Sequence, residues 1–282
     1  MKKFLAIALA ALMLFALAAC GGTSESKEVV KVIVINLTEE EYAFGVDKAQ
    51  PELLEKTNAF IEKIMKDGTF DEICNKYFGD GEPTAVTSAE LDESKDQLVV
   101  ATNAAFEPFE YTQGDKYYGI DMEIAALLAQ ELGKELVISN MDFDAVCLSV
   151  GQHKCDIAMA GLTVKEDRKE HVDFTSTYYQ ASQKLIVKAD DTTFDACTDA
   201  ASVEAILKGF DNTTKIGVQN GTTGNFYVKG DADWGFDGFA TECVGYKNGA
   251  LAVQDLVNGN INYVVIDAAP AACIVESINE VA

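Results

Sequence analysis

Apolar positions along the chain fall into short hydrophobic runs separated by longer amphipathic stretches. VVKVIVI, residues 29 to 35, is a β-branched run that reads as a buried strand. After LTEEEYAFGV, the segment PELLEKTNAFIEKIMKDGTFDEICNKYF places Leu53, Leu54, Phe60, Ile61, Ile64 and Met65 near helical spacing. This predicts one amphipathic helix closed by Asp67-Gly68 and then a shorter one, both as packing elements. Residues 79 to 97, GDGEPTAVTSAELDESKDQ, carry few large apolar side chains and form the best linker candidate. From residue 98 the period switches repeatedly: LVVAT as a strand, DMEIAALLAQELGK as a helix, ELVISNM as a strand, a helix around DAVCLSVGQ and CDIAMAG as a buried strand. KLIVK, KIGVQ, ECVGY and YVVID continue the strand pattern. Such alternation predicts an α/β fold with layers around a mostly parallel sheet.

The extreme N-terminus has a different logic. MKKFLAIALAALMLFALAAC, residues 1 to 20, joins a Lys2-Lys3 start to an apolar run and small residues before a cysteine, the layout of a secretory signal. The Leu17-Ala18-Ala19-Cys20 ending resembles a bacterial lipobox, in which the cysteine is acylated; the alternatives are an ordinary signal peptide with a chance cysteine, or a membrane span. Residues 21 to 27 are small and polar, as expected of a tether between a lipid anchor and the fold.

The 282 residues are 48% hydrophobic and 24% charged, enough for one large or two modest globular domains. A formal charge of −24 makes nucleic acid and anionic lipid surfaces poor partners, although such acidity also serves to keep an exported protein soluble. Apart from Cys20, six cysteines (Cys74, Cys147, Cys155, Cys197, Cys243, Cys273) permit either disulfides or buried free thiols. None forms a CxxC pair, and with only His153 and His171 available no set has zinc-site spacing, so no metal and no cofactor is expected.

Five motifs in order, ATNAAFEPFEY, GIDMEIAALLAQELG, MDFDAVCLSVGQHKCDIAMAGLTVKEDRKEHVDFT, IGVQNGTTG and YVVIDAAPAA, resemble the extracellular solute-binding proteins of polar amino acid ABC importers over residues 98 to 273. The resemblance implies a two-lobed periplasmic-binding-protein fold. Members of that family normally finish with a strand, an EEEYAIGV-like crossover and a terminal helix pair. Here LTEEEYAFGV and the helices after it precede the first lobe's opening strand, so the chain resembles a circular permutant joined through residues 79 to 97. Termini that lie close together at a surface make this rewiring tolerable. The alternative is a partial duplicate from another copy. The expected division is lobe 1 over 41 to 187 and lobe 2 over 28 to 40 with 188 to 282.

A free amino acid presents a carboxylate, an ammonium and a side chain. In GLTVKEDR, Thr163 and Glu166 read as a capping box that would expose backbone N–H groups at a helix start, and Arg168 stands about one turn further. The plain alternative is a capped helix with a solvent-facing arginine. By resemblance, Gly161, Thr163 and Arg168 hold the α-carboxylate and part of the ammonium. Gly221 to Gly224 read as a turn presenting N–H groups and the Thr223 hydroxyl from the other lobe. Asp267, ending the apolar strand YVVID, needs a partner if buried, and the resemblance makes it the ammonium ligand; capping the next helix is the alternative. Phe106 and Phe143 match positions that pack around the ligand side chain, and Gln219 is a further pocket candidate. Asn103 stands where members selecting cationic ligands often carry aspartate, which lowers the expectation of a lysine-like ligand.

The resulting expectation is a monomeric, lipid-anchored extracytoplasmic protein that captures a polar amino acid between its lobes and delivers it to ABC permease subunits in the bacterial cell membrane. It has no catalytic residues: no nucleophile-and-base motif stands in the sequence. An enzyme on the same scaffold and a sensory module are the competing classes.

Overall fold

The computed structural model describes residues 28–282, so the expected signal segment, the lipobox Cys20 and the tether lie outside the described residues. Two five-stranded sheets form the cores of two lobes. In lobe 1 the order is Val172–Phe174, Gly45–Asp47, Ile157–Ala158, Gln97–Thr102, Glu135–Asn140. In lobe 2 it is Val30–Ile33, Gln183–Lys188, Tyr263–Asp267, Lys215–Gln219, Glu242–Tyr246.

The two-lobed α/β architecture is the expected one, and each of its sheets combines parallel with antiparallel pairs. In lobe 1 Gln97–Thr102 runs parallel to both its neighbours, while Gly45–Asp47 is antiparallel to both of its own. In lobe 2 Lys215–Gln219 runs parallel to both neighbours, and Gln183–Lys188 antiparallel to both. The cause is topological. A parallel pair needs a crossover connection, supplied here by helices such as Ile120–Leu132 and Gly249–Asn258, whereas Gly45–Asp47 and Gln183–Lys188 arrive directly from the other lobe and enter against the strand direction.

The apolar runs are continuous because both faces of each sheet are covered. Along Gln97–Thr102, Leu98 and Val100 point into the core that holds Ile120, Ile124 and Leu128, while Ala101 meets Val146 and Val150 on the opposite face. In lobe 2, Ile186, Val264 and Ile266 face Ala252, Val253 and Leu256. Leu185, Val187 and Val265 face Val203 and Leu207 on the other side.

The chain crosses between lobes twice, and Glu40–Tyr42 pairs antiparallel with Tyr179–Ala181 where it does so. Tyr42 stacks on Tyr179 with ring centroids 5.7 Å apart and meets Phe109 edge-on at 5.1 Å; Tyr178 stacks on Phe44 at 4.4 Å. Gln183–Lys188 lies in the lobe 2 sheet, so the boundary expected at 187 belongs before residue 183. The apolar pattern of KLIVK would suit either lobe, and only its strand partners decide.

The predicted helix pair is Pro51–Asp67 and Thr69–Phe78, with Gly68 between them at φ 88°, a left-handed conformation that glycine adopts without strain. The linker candidate packs along lobe 1: Val86 exchanges backbone bonds with Tyr117 (2.8 and 3.0 Å), and Ala89 N–H donates to Leu136 O (2.9 Å). The six cysteines among the described residues are free thiols.

At the outer edge of lobe 2 the Asn279 carboxamide clips the Ala268–Val281 helix to the first strand. Its Oδ1 accepts from Val29 N–H (2.9 Å) and Val30 N–H (3.3 Å), and its Nδ2 donates to Val30 O (2.9 Å). Asn279→Ala is expected to lower unfolding free energy by about 2 kcal/mol in urea denaturation, since each such bond contributes about 1 kcal/mol net.

Candidate ligand-binding crevice

The nine residues singled out in the sequence converge where the lobes meet. Asn103 follows the Gln97–Thr102 strand and Gln219 ends Lys215–Gln219; across the crevice Gln219 Nε2 donates to Asn103 Oδ1 (3.0 Å), while Asn103 Nδ2 donates to Met141 O (2.7 Å). Thr223 Oγ1, from lobe 2, donates to Thr163 Oγ1 of lobe 1 (3.2 Å). Arg168 Nη1 donates to Thr163 O (2.7 Å) and Nη2 to Gly221 O (3.0 Å), and its guanidinium carbon lies 5.2 Å from the Phe143 ring centroid. Arg168 is buried and does not face solvent. Gly161, at φ 53°, lets Phe106 approach: an added Cβ would stand 2.9 Å from the Phe106 ring.

Two local expectations are corrected. The helix in the TVKEDR segment is Glu166–Lys169, with Lys165 at its N-cap and no side chain capping it. Thr163 therefore closes no capping box; its hydroxyl donates to Glu40 Oε2 (2.8 Å), because the chain stays extended through Thr163 and bridges to Tyr42 before turning. The GTTG stretch is a helix start: Thr222 caps Thr223–Lys229, and Gly221, at φ 71°, offers its carbonyl to Arg168.

Asp267 ends the Tyr263–Asp267 strand and precedes the Ala268–Val281 helix, to which its side chain gives no capping bond. Its Oδ1 accepts from the Tyr42 hydroxyl. Burial, reinforced by the nearby Glu40 charge, holds its carboxyl well above the usual carboxylate range.

Three further acids share this region, and the linear motifs did not single them out. Glu40 accepts from Thr38 Oγ1 (2.6 Å), Gln183 Nε2 (3.0 Å) and Thr163. Asp121 accepts from Gly161 N–H (2.9 Å) and the Tyr178 hydroxyl (2.6 Å), and burial pushes it up to about 7. Glu110 is fully buried, and among the described residues neither of its carboxyl oxygens has a hydrogen-bond partner. Burial, then the Asp121 and Asp267 charges, drive its carboxyl far above the ordinary range. Glu110 stands directly opposite Phe106 in the antiparallel Ala105–Phe106/Glu110–Gln113 pair, so both side chains leave the same face. An acid inside an otherwise aromatic PFEY stretch was the available signal. Among the described residues, the hydrogen-bond partners found at these acids are neutral.

Cavities flank the contact on two sides. One of about 320 Å³ borders Phe143, Arg168 and Gly221, and one of about 580 Å³ borders Glu40, Thr163 and Lys165. A larger space of about 700 Å³, between Thr69–Phe78 and Ile120–Leu132, lies within lobe 1 and holds none of the converging groups. The crevice thus offers a guanidinium and the Thr163 and Thr223 hydroxyls at one pole, buried acids at the other, and aromatic walls at Phe106 and Phe143. That set is complementary to a zwitterion.

Comparison with known proteins bears on the family of the chain. The family model for "Bacterial extracellular solute-binding proteins, family 3" matches residues 12–80 and 98–264. The arginine-binding extracellular protein ArtP of Bacillus subtilis (strain 168) is 34% identical over 99 residues, covering 35% of this chain and 39% of that protein. The arginine-binding periplasmic protein of Mannheimia haemolytica is 30% identical over 173 residues, 61% of this chain and 63% of that protein. The chain therefore spans less than two thirds of the length of these relatives. Among solved structures, an ancestral arginine-binding protein bound to arginine matches with TM-score 0.55 and 31% identity, covering 65% of this chain and 75% of that one. Two sheets bridged by a paired crossing, a crevice of convergent polar groups and a family match over most of the sequence lead to one conclusion: the chain belongs to the bacterial extracellular solute-binding proteins, family 3.

Proposed function

We propose that this protein binds a free amino acid with a cationic side chain, of the arginine type, between its lobes and delivers it to an ABC importer as a lipid-anchored, monomeric extracytoplasmic receptor. It is read as a binder and not as an enzyme. The observation that carries the ligand class is Glu110: a fully buried carboxyl with two unpartnered oxygens, on the Phe106 face and within the field of Asp267. A desolvated acid of this kind is costly unless a cation reaches it. Asn103 removes the acid expected at the mouth of the side-chain pocket, and Glu110 supplies one deeper.

In this reading Arg168 takes the α-carboxylate in a charge-assisted contact, helped by Thr163 and Thr223. Asp267 takes the α-ammonium, with Gly161 beside it. Phe106 and Phe143 enclose the aliphatic stem, with Asn103 and Gln219 closing the crevice between the lobes. The names of the arginine-binding relatives point to the same ligand class. The chain order is read as circularly permuted, on the ground that the Glu40–Tyr42 crossing and the helix pair Pro51–Asp67 and Thr69–Phe78 precede the Gln97–Thr102 strand.

Titration calorimetry with arginine tests the assignment. Arg168→Ala and Asp267→Ala are each expected to weaken binding about a hundredfold or more, from charge-assisted bonds of about 1.5–3 kcal/mol each. Glu110→Gln should weaken arginine while leaving glutamine nearly unchanged. Undiminished arginine affinity in both alanine variants defeats the reading.

A proton balance follows from the raised carboxyls. Asp267 and Glu110 hold protons above the ordinary carboxylate range in the folded protein, and a bound cation favours their ionised forms, so binding releases protons. Arginine affinity should therefore rise between about pH 5 and pH 8, and binding enthalpies measured in buffers of different ionisation heat should diverge in the direction of release. Enthalpies independent of buffer would contradict it.

The permuted order has its own check. A chain reopened within residues 79–97 and closed between the Ala268–Val281 helix and Val29 should fold and bind arginine as the parent does, because Asn279 already holds those elements together. A reopened chain that melts without cooperativity would argue against it.

A further inference from the structure

We propose that Lys165 is an interlobe latch: a lobe 1 ammonium received by an acid–aromatic socket on lobe 2, which favours the closed arrangement whether or not a ligand is bound. The inference goes beyond ligand recognition and rests on the binding reading only for its effect on affinity.

Lys165 stands at the N-cap of Glu166–Lys169, with a side chain only 2% exposed. Its Nζ lies 3.0 Å from Asp231 Oδ2 and 3.2 Å from the Phe226 ring centroid, both in lobe 2, and 3.4 Å from Asp167 Oδ2 in its own lobe. The socket is tied to its own lobe. Phe226 belongs to the Thr223–Lys229 helix, and Asp231 exchanges reciprocal backbone bonds with Phe236 (2.9 Å each) while its Oδ1 accepts from Asp233 N–H (3.1 Å).

The chemistry makes this contact a property of closure. A desolvated ammonium needs an acid and gains further from a π-face against it, and Asp231 and Phe226 both leave when the lobes part. In the open arrangement Lys165 would keep Asp167, half exposed, and regain water. A second cross-lobe pair shows the contrast: Lys247 lies 3.5 Å from Asp142, but the two side chains are 73% and 62% exposed, and an ion pair so exposed contributes little. The buried latch and the exposed rim pair therefore differ in environment while sharing the same geometry of closure.

Small-angle X-ray scattering of the full ligand-free protein tests this without reference to any ligand. Lys165→Met and Asp231→Asn are each expected to raise the radius of gyration, with the double variant no further open than either single one, and Lys247→Met superimposing on the parent. Asp231→Asn keeps the shape of the residue and removes the charge that Lys165 Nζ meets at 3.0 Å. With arginine as probe, both variants should dissociate about tenfold faster at a nearly unchanged association rate, as for loss of one partner of a buried charge pair. Scattering curves of Lys165→Met and Asp231→Asn that match the parent overturn the latch, as does strict additivity in the double variant. Failure of arginine to bind the parent protein would instead count against the ligand assignment and leave the scattering result to decide the latch.

Discussion

The structure depends on keeping four carboxyls, those of Glu40, Glu110, Asp121 and Asp267, out of water, three of them supported by neutral donors. Desolvation on this scale is met chiefly by uncharged donors, and the most telling are two tyrosine hydroxyls from the paired crossing: Tyr42 reaches Asp267 and Tyr178 reaches Asp121. Each tyrosine is itself fixed by ring stacking, Tyr42 on Tyr179 and Tyr178 on Phe44. The aromatic cluster at the hinge is thus the support on which the acids of both lobes rest. Moving one lobe against the other alters the surroundings of the very groups that would greet a ligand's ammonium.

Glu110 is the exception in this set, since among the described residues no hydroxyl or amide reaches it. Its protonated form is the way such a group survives burial in the absence of a positive partner, and a guanidinium would convert that liability into an ion pair with additional hydrogen bonds. In the proposed reading, an amino acid with a neutral side chain would leave Glu110 unpaired, so the pocket would discriminate by what it leaves unsatisfied as much as by what it attracts.

Much of this was legible in the sequence because the relevant signals are local. The strand runs and the helix break at Asp67-Gly68 follow from period and turn chemistry, and motif order placed Asn103, Phe106, Phe143, Gly161, Thr163, Arg168, Gln219, Thr223 and Asp267 together. What escaped was set by partners distant in the chain. Gln183–Lys188 reads as a buried strand in either lobe, and its assignment comes from Val30–Ile33 and Tyr263–Asp267. Thr163 looks like a cap beside Glu166, but the carboxylate it meets is Glu40, which is 123 residues away. The short strands Glu110–Gln113 and Lys116–Tyr118 are defined by pairing with each other and carry too few residues to show a period, which hid the face on which Glu110 stands.

The proposed permuted order is compatible with these constraints because the crevice is built from spatial neighbours. Both crossings of the chain between lobes remain continuous, Glu40–Tyr42 and Tyr179–Ala181 pairing directly. The segment from 79 to 97 runs along lobe 1, tied to Tyr117 and Leu136, and the Asn279 clip sits at the edge strand of lobe 2. Neither lies in a crossing or contributes a group to the crevice. Rejoining the chain at such places changes which loops must be closed, a cost that grows slowly with loop length, and leaves the hinge strands, the aromatic cluster and the buried acids in the same mutual positions. Chain order can vary here because the binding chemistry is referred to the hinge and not to the termini.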